Sequence, residues 1–220
     1  MENQNKKNIP AQPEFSGESS PEYNTGEKDS KQKNRVKEIL EYAESLTLVF
    51  AVMLLIFTFI ARPATVDGTS MLPTLEDQER LVISNLFYEP KAGDIVVLCG
   101  EADKEEGRTL IKRIIATEGQ TVDIDFEAGE VYVDGEKLSE PYILEPTYLD
   151  EGTEFPLTVP EGEIFVMGDN RNGPRDSRST TIGTVKEEYI VGRTLFRFFP
   201  FDRFGKIGDT GRLNIVSAEE

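Results

Sequence analysis

The sequence predicts a mainly β protein: an antiparallel, partly closed β-domain carried behind one N-terminal membrane-spanning helix. Three observations lead there. One uncharged run, LTLVFAVMLLIFTFIA from Leu46 to Ala61, is unmatched elsewhere in the chain. Beyond it, short β-branched and aromatic runs recur between Gly-containing turn signals, the pattern of strands joined by tight connections. Helical periodicity is weak outside the apolar run, and no internal repeat is evident.

Residues 1–34 are rich in Asn, Gln, Glu, Lys, Ser and Pro and nearly devoid of large apolar side chains. They bury too little surface to offset the entropy of ordering, and read as a disordered tail. The apolar run then spans about 24 Å at about 1.5 Å per residue, somewhat less than the roughly 30 Å hydrocarbon core. Extended back to Ala43, with Glu44 near the interface, it crosses with some bilayer thinning. A buried core helix is the alternative, but nothing equally apolar follows to pack around it. A cleaved leader is disfavoured by the long segment ahead of the run and by Arg62-Pro63, where a small-residue cleavage site is needed. Lys31, Lys33, Arg35 and Lys37 precede the run and Arg62 stands alone after it, so the positive-inside rule leaves the N-terminus in the cytoplasm. The expected organisation is a cytoplasmic tail (1–34), a juxtamembrane segment with a single transmembrane helix (35–62), an exported β-rich domain (63–210) and a C-terminal tail (211–220). Within the exported domain, strands are expected at 80–84, 94–99, 109–116, 121–126, 130–135, 163–169 and 189–199, with turns at Ala128-Gly129 and Asp134-Gly135.

Composition narrows the function. The 220 residues are 38% hydrophobic and include 13 Phe, enough for a core. Formal net charge is −17, which disfavours nucleic acid as a partner because phosphate neutralisation needs a basic surface. There is no His, so a Ser-His-Asp triad, a Cys-His dyad and every His-ligated zinc site are excluded. The single Cys99 forms no internal disulfide or CxxC pair, and in DIVVLC it reads as a small buried hydrophobe. Carboxylates abound, but without His or several Cys no tight metal site is expected, and no cofactor is implied.

A hydrolase lacking His needs another general base. Lysine serves only where its ammonium is destabilised, as burial among apolar groups does. Lys91, Lys104, Lys137 and Lys206 lie in charged or turn-like segments. Lys112 differs: if TLIKRIIA is a strand, Leu110, Lys112, Ile114 and Ala116 share one face, making Lys112 a candidate desolvated amine. The alternative is a snorkelling edge-strand lysine. A partner nucleophile is suggested by VDGTSMLPTL, residues 66–75. There Gly68 allows tight backbone geometry and Pro73 fixes a turn soon after Ser70. This is not a GxSxG elbow, because Leu72 occupies the second glycine position, and taken alone the segment also reads as a plain loop.

Several segments together resemble the bacterial type I signal peptidases. GTSMLPTL (68–75) is similar to their nucleophile box, AGDIVV (92–97) to the next box, and LIKRIIATEGQTV (110–122) to the strand bearing the catalytic Lys. VYVDGEKLSEPYI (131–143) resembles a family hairpin, VPEGEIFVMGDNRNGPRDSR (159–178) the GDNR…DSR box, and IVGRTLFRFFPFDRFGKIG (190–208) the C-terminal strand and tail. The boxes occur in family order from the anchor to Gly208, and the large extra β-domain of some members is missing, as in the compact form.

The resemblance implies a membrane-anchored serine endopeptidase that removes signal peptides from exported precursors after a short Ala-x-Ala type motif. Ser70 is then the nucleophile, Lys112 the general base, and the backbone at Ser70 and Gly68 the oxyanion hole. Met71, Pro73, Arg113, Asp169, Asn170, Arg171, Asp176, Ser177 and Arg178 shape the site, with Arg113 an ion-pair partner for one of the two Asp residues. The implied partners are precursor proteins and membrane lipid. Two positions depart from the pattern. Gly68 stands where some members place an oxyanion-hole Ser, and Pro174 stands where a Ser commonly hydrogen-bonds the catalytic Lys. A water, Ser177 or another hydroxyl then has to orient Lys112.

Two other readings compete. A self-cleaving repressor-type Ser/Lys protease lacks a membrane anchor and needs a DNA-binding region. A catalytically impaired, membrane-tethered β-domain acting as a scaffold draws its support from Pro174. Ser70 lies nine residues beyond Ala61, which keeps it within roughly 30 Å of the membrane. LFRFFPFDRF (195–204) carries bulky apolar groups on both faces of a strand, so one face enters the core and the other meets a second sheet or lipid.

Overall fold

The computed structural model of the chain describes residues 25–55, 57, 61–104, 106–173, 175–207 and 214–215. Their contacts divide the chain into two units, 1–50 and 51–220. One helix, α1 (Thr25–Leu55), occupies the described N-terminal part. It starts inside the stretch expected to lack structure, because Glu27, Lys28, Lys31, Gln32, Lys33 and Arg35 are good helix formers and a helix, once nucleated, propagates through them. Its side chains from Leu46 to Leu55 are exposed. Residues 56 and 58–60 of the expected transmembrane run lie outside the described residues, and among the described residues no helix is long and apolar enough to cross a membrane.

The rest is antiparallel β-structure. The described strands are β1 (Arg62–Thr65), β2 (Arg80–Ser84), β3 (Ile95–Leu98), β4 (Leu110–Thr117), β5 (Thr121–Asp125), β6 (Glu130–Val133), β7 (Glu136–Ser139), β8 (Leu157–Thr158), β9 (Glu163–Met167), β10 (Val185–Lys186), β11 (Ile190–Phe199) and β12 (Asn214–Ile215). Seven form one sheet in the order β1-β2-β11-β3-β4-β9-β10, and five a smaller one in the order β12-β7-β6-β5-β8. The β6–β7 connection is the two-residue turn Asp134-Gly135, both at positive φ (55° and 81°), which a hairpin of this length requires.

β4 carries the domain. It pairs with β3 through Lys112↔Val96 and with β9 through Ile114↔Val166. Leu110 and Ile114 pack in the cluster that holds Val96, Leu98 and Val166, so the Lys112 side belongs to that face. The expected alternation then breaks: a register shift between Ile114 and Ala116 sends both Ile115 and Ala116 to the opposite cluster, with Phe165, Met167 and the inward residues of β5 and β6. Ala116 therefore does not share a face with Lys112.

A third cluster, Val66, Met71, Leu75, Leu81, Ile83, Ile95 and Val97, lies under the loop between β1 and β2. β11 is irregular, with register shifts between Thr194 and Phe196 and between Arg197 and Phe199. Simple alternation therefore fails for its Phe-rich end. Leu195, Phe196 and Phe198 are half-buried, while Phe199, Phe201 and Phe204 stay exposed.

Candidate active site

Ser70 sits in the β1–β2 loop beside a deep anchor. Met71, its neighbour, is 1% exposed in the cluster beneath the loop, and Leu75, fully buried, donates its N–H to the Met71 carbonyl at 2.9 Å. These two side chains pin the segment, leaving Ser70 half-exposed and Pro73 exposed. Gly68 adopts φ 92°, open only to glycine without strain, and its N–H donates to Asp77 Oδ1 at 2.8 Å. The oxyanion donor expected at Gly68 is thus engaged within the loop. Ser70 N–H has no acceptor among the described residues.

The opposite wall comes from the segment after β9. Asn170 N–H donates to the Ser70 carbonyl at 3.0 Å, and its side-chain amide to the Thr69 carbonyl at 3.3 Å. Asp169 accepts two bonds from Arg113, at 2.8 and 2.7 Å, and one from the Thr74 hydroxyl. Arg113 also donates to the Gly93 carbonyl and lies 4.0 Å from the centre of the Tyr142 ring. The nucleophile loop is thereby tied to β4 through one carboxylate.

Lys112 is 2% exposed. Burial pushes its amine below the usual 10.5, against the opposing pull of Asp176, Glu151 and Asp169 and with help from Arg178. Its amine makes no hydrogen bond to a described residue. Lys112 and Ser70, distant in sequence, line one cleft of about 950 Å³, together with β1, Leu110, Ile111 and Arg175.

The remaining charges are paired. Arg178 donates to both Asp176 oxygens and to the Leu149 carbonyl. Burial would raise the Asp176 carboxyl, but Arg178 holds it below the ordinary carboxylate range. Arg171, fully buried, forms a two-point pair with Glu140 and also reaches Thr147 and the Gly168 carbonyl. Ser177 Oγ accepts the Val166 N–H at 3.0 Å. Pro174 lies outside the described residues.

Sequence reasoning missed Thr74, Asp77, Glu140, Tyr142 and Glu151. Thr74, Glu140 and Tyr142 fall inside the quoted boxes, but their partners are set by tertiary contacts. It also missed the cluster behind the loop, where Glu79 (2% exposed) pairs with Arg197 and Arg203.

A family model described as signal peptidase, peptidase S26, matches residues 39–199. A probable signal peptidase I-1 of Synechocystis is 40% identical over 178 residues, covering 77% of this chain and 87% of its own. Signal peptidase I T of Bacillus subtilis is 38% identical over 180 residues, covering 77% and 90%. Signal peptidase IB of Staphylococcus aureus is 33% identical over 186 residues, covering 76% and 93%. A crystal structure of a signal peptidase I from Enterococcus faecalis is 30% identical with a TM-score of 0.39, covering 48% of this chain and 97% of that one.

Proposed function

The chain belongs to the signal peptidase family, peptidase S26, and from that premise we propose that Ser70 and Lys112 are its catalytic dyad. It is a serine endopeptidase that removes signal peptides from secreted precursors. The observation carrying the assignment is that Ser70 and a lysine with a destabilised ammonium line the same cleft. Neutral Lys112 takes the Ser70 proton as Oγ attacks the scissile carbonyl, and returns it to the leaving amine. Water, deprotonated by Lys112 in turn, then releases the acyl group. Charge on the tetrahedral oxygen falls to the Ser70 N–H, whereas the Gly68 N–H serves the loop. Arg113, Asp169, Asn170, Arg171, Asp176, Ser177 and Arg178 support geometry and exchange no protons.

Membrane anchoring is part of the same reading. The exposed apolar side chains of α1 from Leu46 to Leu55 suit lipid, and the uncharged run they belong to extends in sequence to Ala61. Lys31, Lys33, Arg35 and Lys37 hold the N-terminus in the cytoplasm, and the β-domain stands outside with Phe199, Phe201 and Phe204 toward lipid.

Cleavage of a purified precursor by the full-length protein tests the dyad. Ser70→Ala and Lys112→Ala should each abolish cleavage while circular dichroism stays native, and the double variant should be no worse than either. Wild-type-like turnover by folded Lys112→Ala would remove Lys112 from the mechanism.

A further inference from the structure

Three carboxylates act on the Lys112 ammonium, and they differ in how their oxygens are used. Asp169 Oδ1 accepts Arg113 Nε, and Oδ2 accepts Arg113 Nη2 and the Thr74 hydroxyl. Asp176 Oδ1 accepts the backbone N–H and Nε of Arg178, and Oδ2 accepts the Gly168 N–H and Arg178 Nη2. Every oxygen of these two is committed. Glu151 is not: Oε1 accepts the Arg175 N–H at 3.0 Å, but Oε2, though buried, has no hydrogen-bond donor among the described residues. Arg178 Nη2 stands 3.9 Å from it.

A buried carboxylate oxygen without a donor is costly, and a fold that keeps one calls for an explanation. Glu151 is also held deliberately. Gly152 bridges to Ser179, Thr153 N–H donates to the Arg178 carbonyl at 3.1 Å, and the Thr153 hydroxyl donates to the Ser177 carbonyl at 3.3 Å. Arg178 Nη1 reaches back to the Leu149 carbonyl at 2.9 Å. This strap fixes residues 149–153 along the Asp176–Ser179 segment, whose Ser177 N–H in turn bonds the Val166 carbonyl on β9, the neighbour of β4. One of the alternatives for orienting Lys112, the Ser177 hydroxyl, already serves the Val166 N–H as an acceptor.

We propose that Glu151 is the positioning residue for Lys112: its Oε2 faces the lysine amine, aims it at Ser70 and stabilises the ammonium formed when Lys112 takes the Ser70 proton. The inference rests on Lys112 being the base. In the step itself the Ser70 O–H bond breaks, an N–H bond forms at Lys112 Nζ, and an Oγ–C bond forms with the substrate carbonyl. Burial raises the Glu151 carboxyl above its ordinary range, but at the alkaline pH where neutral Lys112 works it is ionised and exchanges no proton. The charged groups acting on Lys112 are Asp176, Glu151 and Asp169, which favour the ammonium, and Arg178, which opposes it; Asp103, Arg108 and Arg175 line the same cleft.

Glu151→Gln in the full-length protein keeps an acceptor for the Arg175 N–H and removes the charge. A lysine losing an opposite charge loses its proton more easily, so the acid limb of kcat/KM should move to lower pH, by on the order of one unit. Its plateau kcat should fall about tenfold or more as the new ammonium loses its counter-charge. Glu151→Asp, with the charge kept at shorter reach, should lie between Gln and wild type in both readouts, and it decides the matter if the Gln variant does not fold. A limb that stays at the wild-type pH in the folded variant overturns the proposal, even if kcat or stability falls, because a purely structural role lowers those alone. Lys112→Ala, run in parallel, separates the two readings: cleavage by Lys112→Ala defeats the dyad itself, whereas an inactive Lys112→Ala beside an unmoved Glu151→Gln limb defeats only the role of Glu151.

Discussion

Gly168→Ala should disable the nucleophile without unfolding the domain. Gly168 follows β9, and a Cβ built there lies 2.5 Å from the Ser70 carbonyl oxygen, where ordinary contact begins at 3.4 Å. Its φ lies outside the left-handed region, so alanine brings no backbone strain and the effect is steric alone. The Ser70 carbonyl must therefore retreat by about 0.9 Å, a displacement of the size that costs on the order of 100-fold in rate when it misplaces a reacting group. The retreat also stretches the 3.0 Å bond from Asn170 N–H, worth about 1 kcal/mol, and overpacking costs about 1–3 kcal/mol of stability. Steady-state cleavage of a precursor peptide reads the first effect and urea unfolding the second. Gly162→Ala is the control: it meets no atom within 4 Å but sits at φ +70°, so it should cost stability and leave kcat unchanged. Wild-type kcat/KM in folded Gly168→Ala would show that the clamp on the Ser70 carbonyl does not set the nucleophile.

The pH profile of kcat/KM should rise through the depressed Lys112 pKa to an optimum on the alkaline side of neutrality; a peak near about pH 5 would indicate a carboxylate base instead. Lys112→Met should be inactive yet more stable. An amine whose folded pKa lies below 10.5 leaves the unfolded chain holding more protons between the two values, so wild-type stability rises with pH through that window. The gain from Met is thus largest below the window and vanishes above it, and a pH-independent difference in urea midpoint would refute the buried-amine account. The chain contains no Trp, so Phe201→Trp places a single reporter on the exposed aromatic edge. Its emission should be quenched by brominated phospholipid in vesicles carrying the full-length protein, and unquenched emission would remove that edge from the membrane.

Strands whose side chains alternate or run apolar between turn residues were legible from the sequence: β2, β3, β5, β6, β9 and β11 fall within the expected runs, and β4 overruns its run only at Thr117. The missed strands lack that signal. β1 contains Arg62 and Pro63, β7 is the polar EKLS, and β8, β10 and β12 are two-residue pairings made by neighbours. The bulge at Ile115-Ala116 leaves no mark because Ile114, Ile115 and Ala116 are all apolar. In the proposed site, Ser70 and Lys112 were picked out because the boxes around them, taken together and in order, resemble one family; neither segment alone excluded a plain loop or a snorkelling lysine. Glu151 was not, since LDEGTE reads as a solvated acidic loop until the strap along Asp176–Ser179 buries it. The engagement of the Gly68 amide by Asp77, nine residues on, is likewise a property of the closed loop.

On the proposed dyad, the buried charges account for Lys112, and not one of its cationic neighbours, serving as the base. Arg113, Arg171 and Arg178 are each about as buried as Lys112, yet each faces a carboxylate in a two-point pair: Asp169, Glu140 and Asp176. A guanidinium does not release its proton in proteins, and its fork matches a carboxylate, so these pairs are held as fixed charge. They use up both oxygens of Asp176 and Asp169, two of the three anions that favour the Lys112 ammonium. The lysine is left in an apolar strand environment with weakened counter-charge, and its ammonium is destabilised. Replacing Arg178 by a neutral side chain would free Asp176 and push the Lys112 pKa up, opposite in sign to the loss of Glu151. The Arg113–Asp169 pair also ties the Ser70 loop to the sheet through Thr74, and the Arg113 and Arg178 pairs hold two carboxylates back from keeping Lys112 protonated.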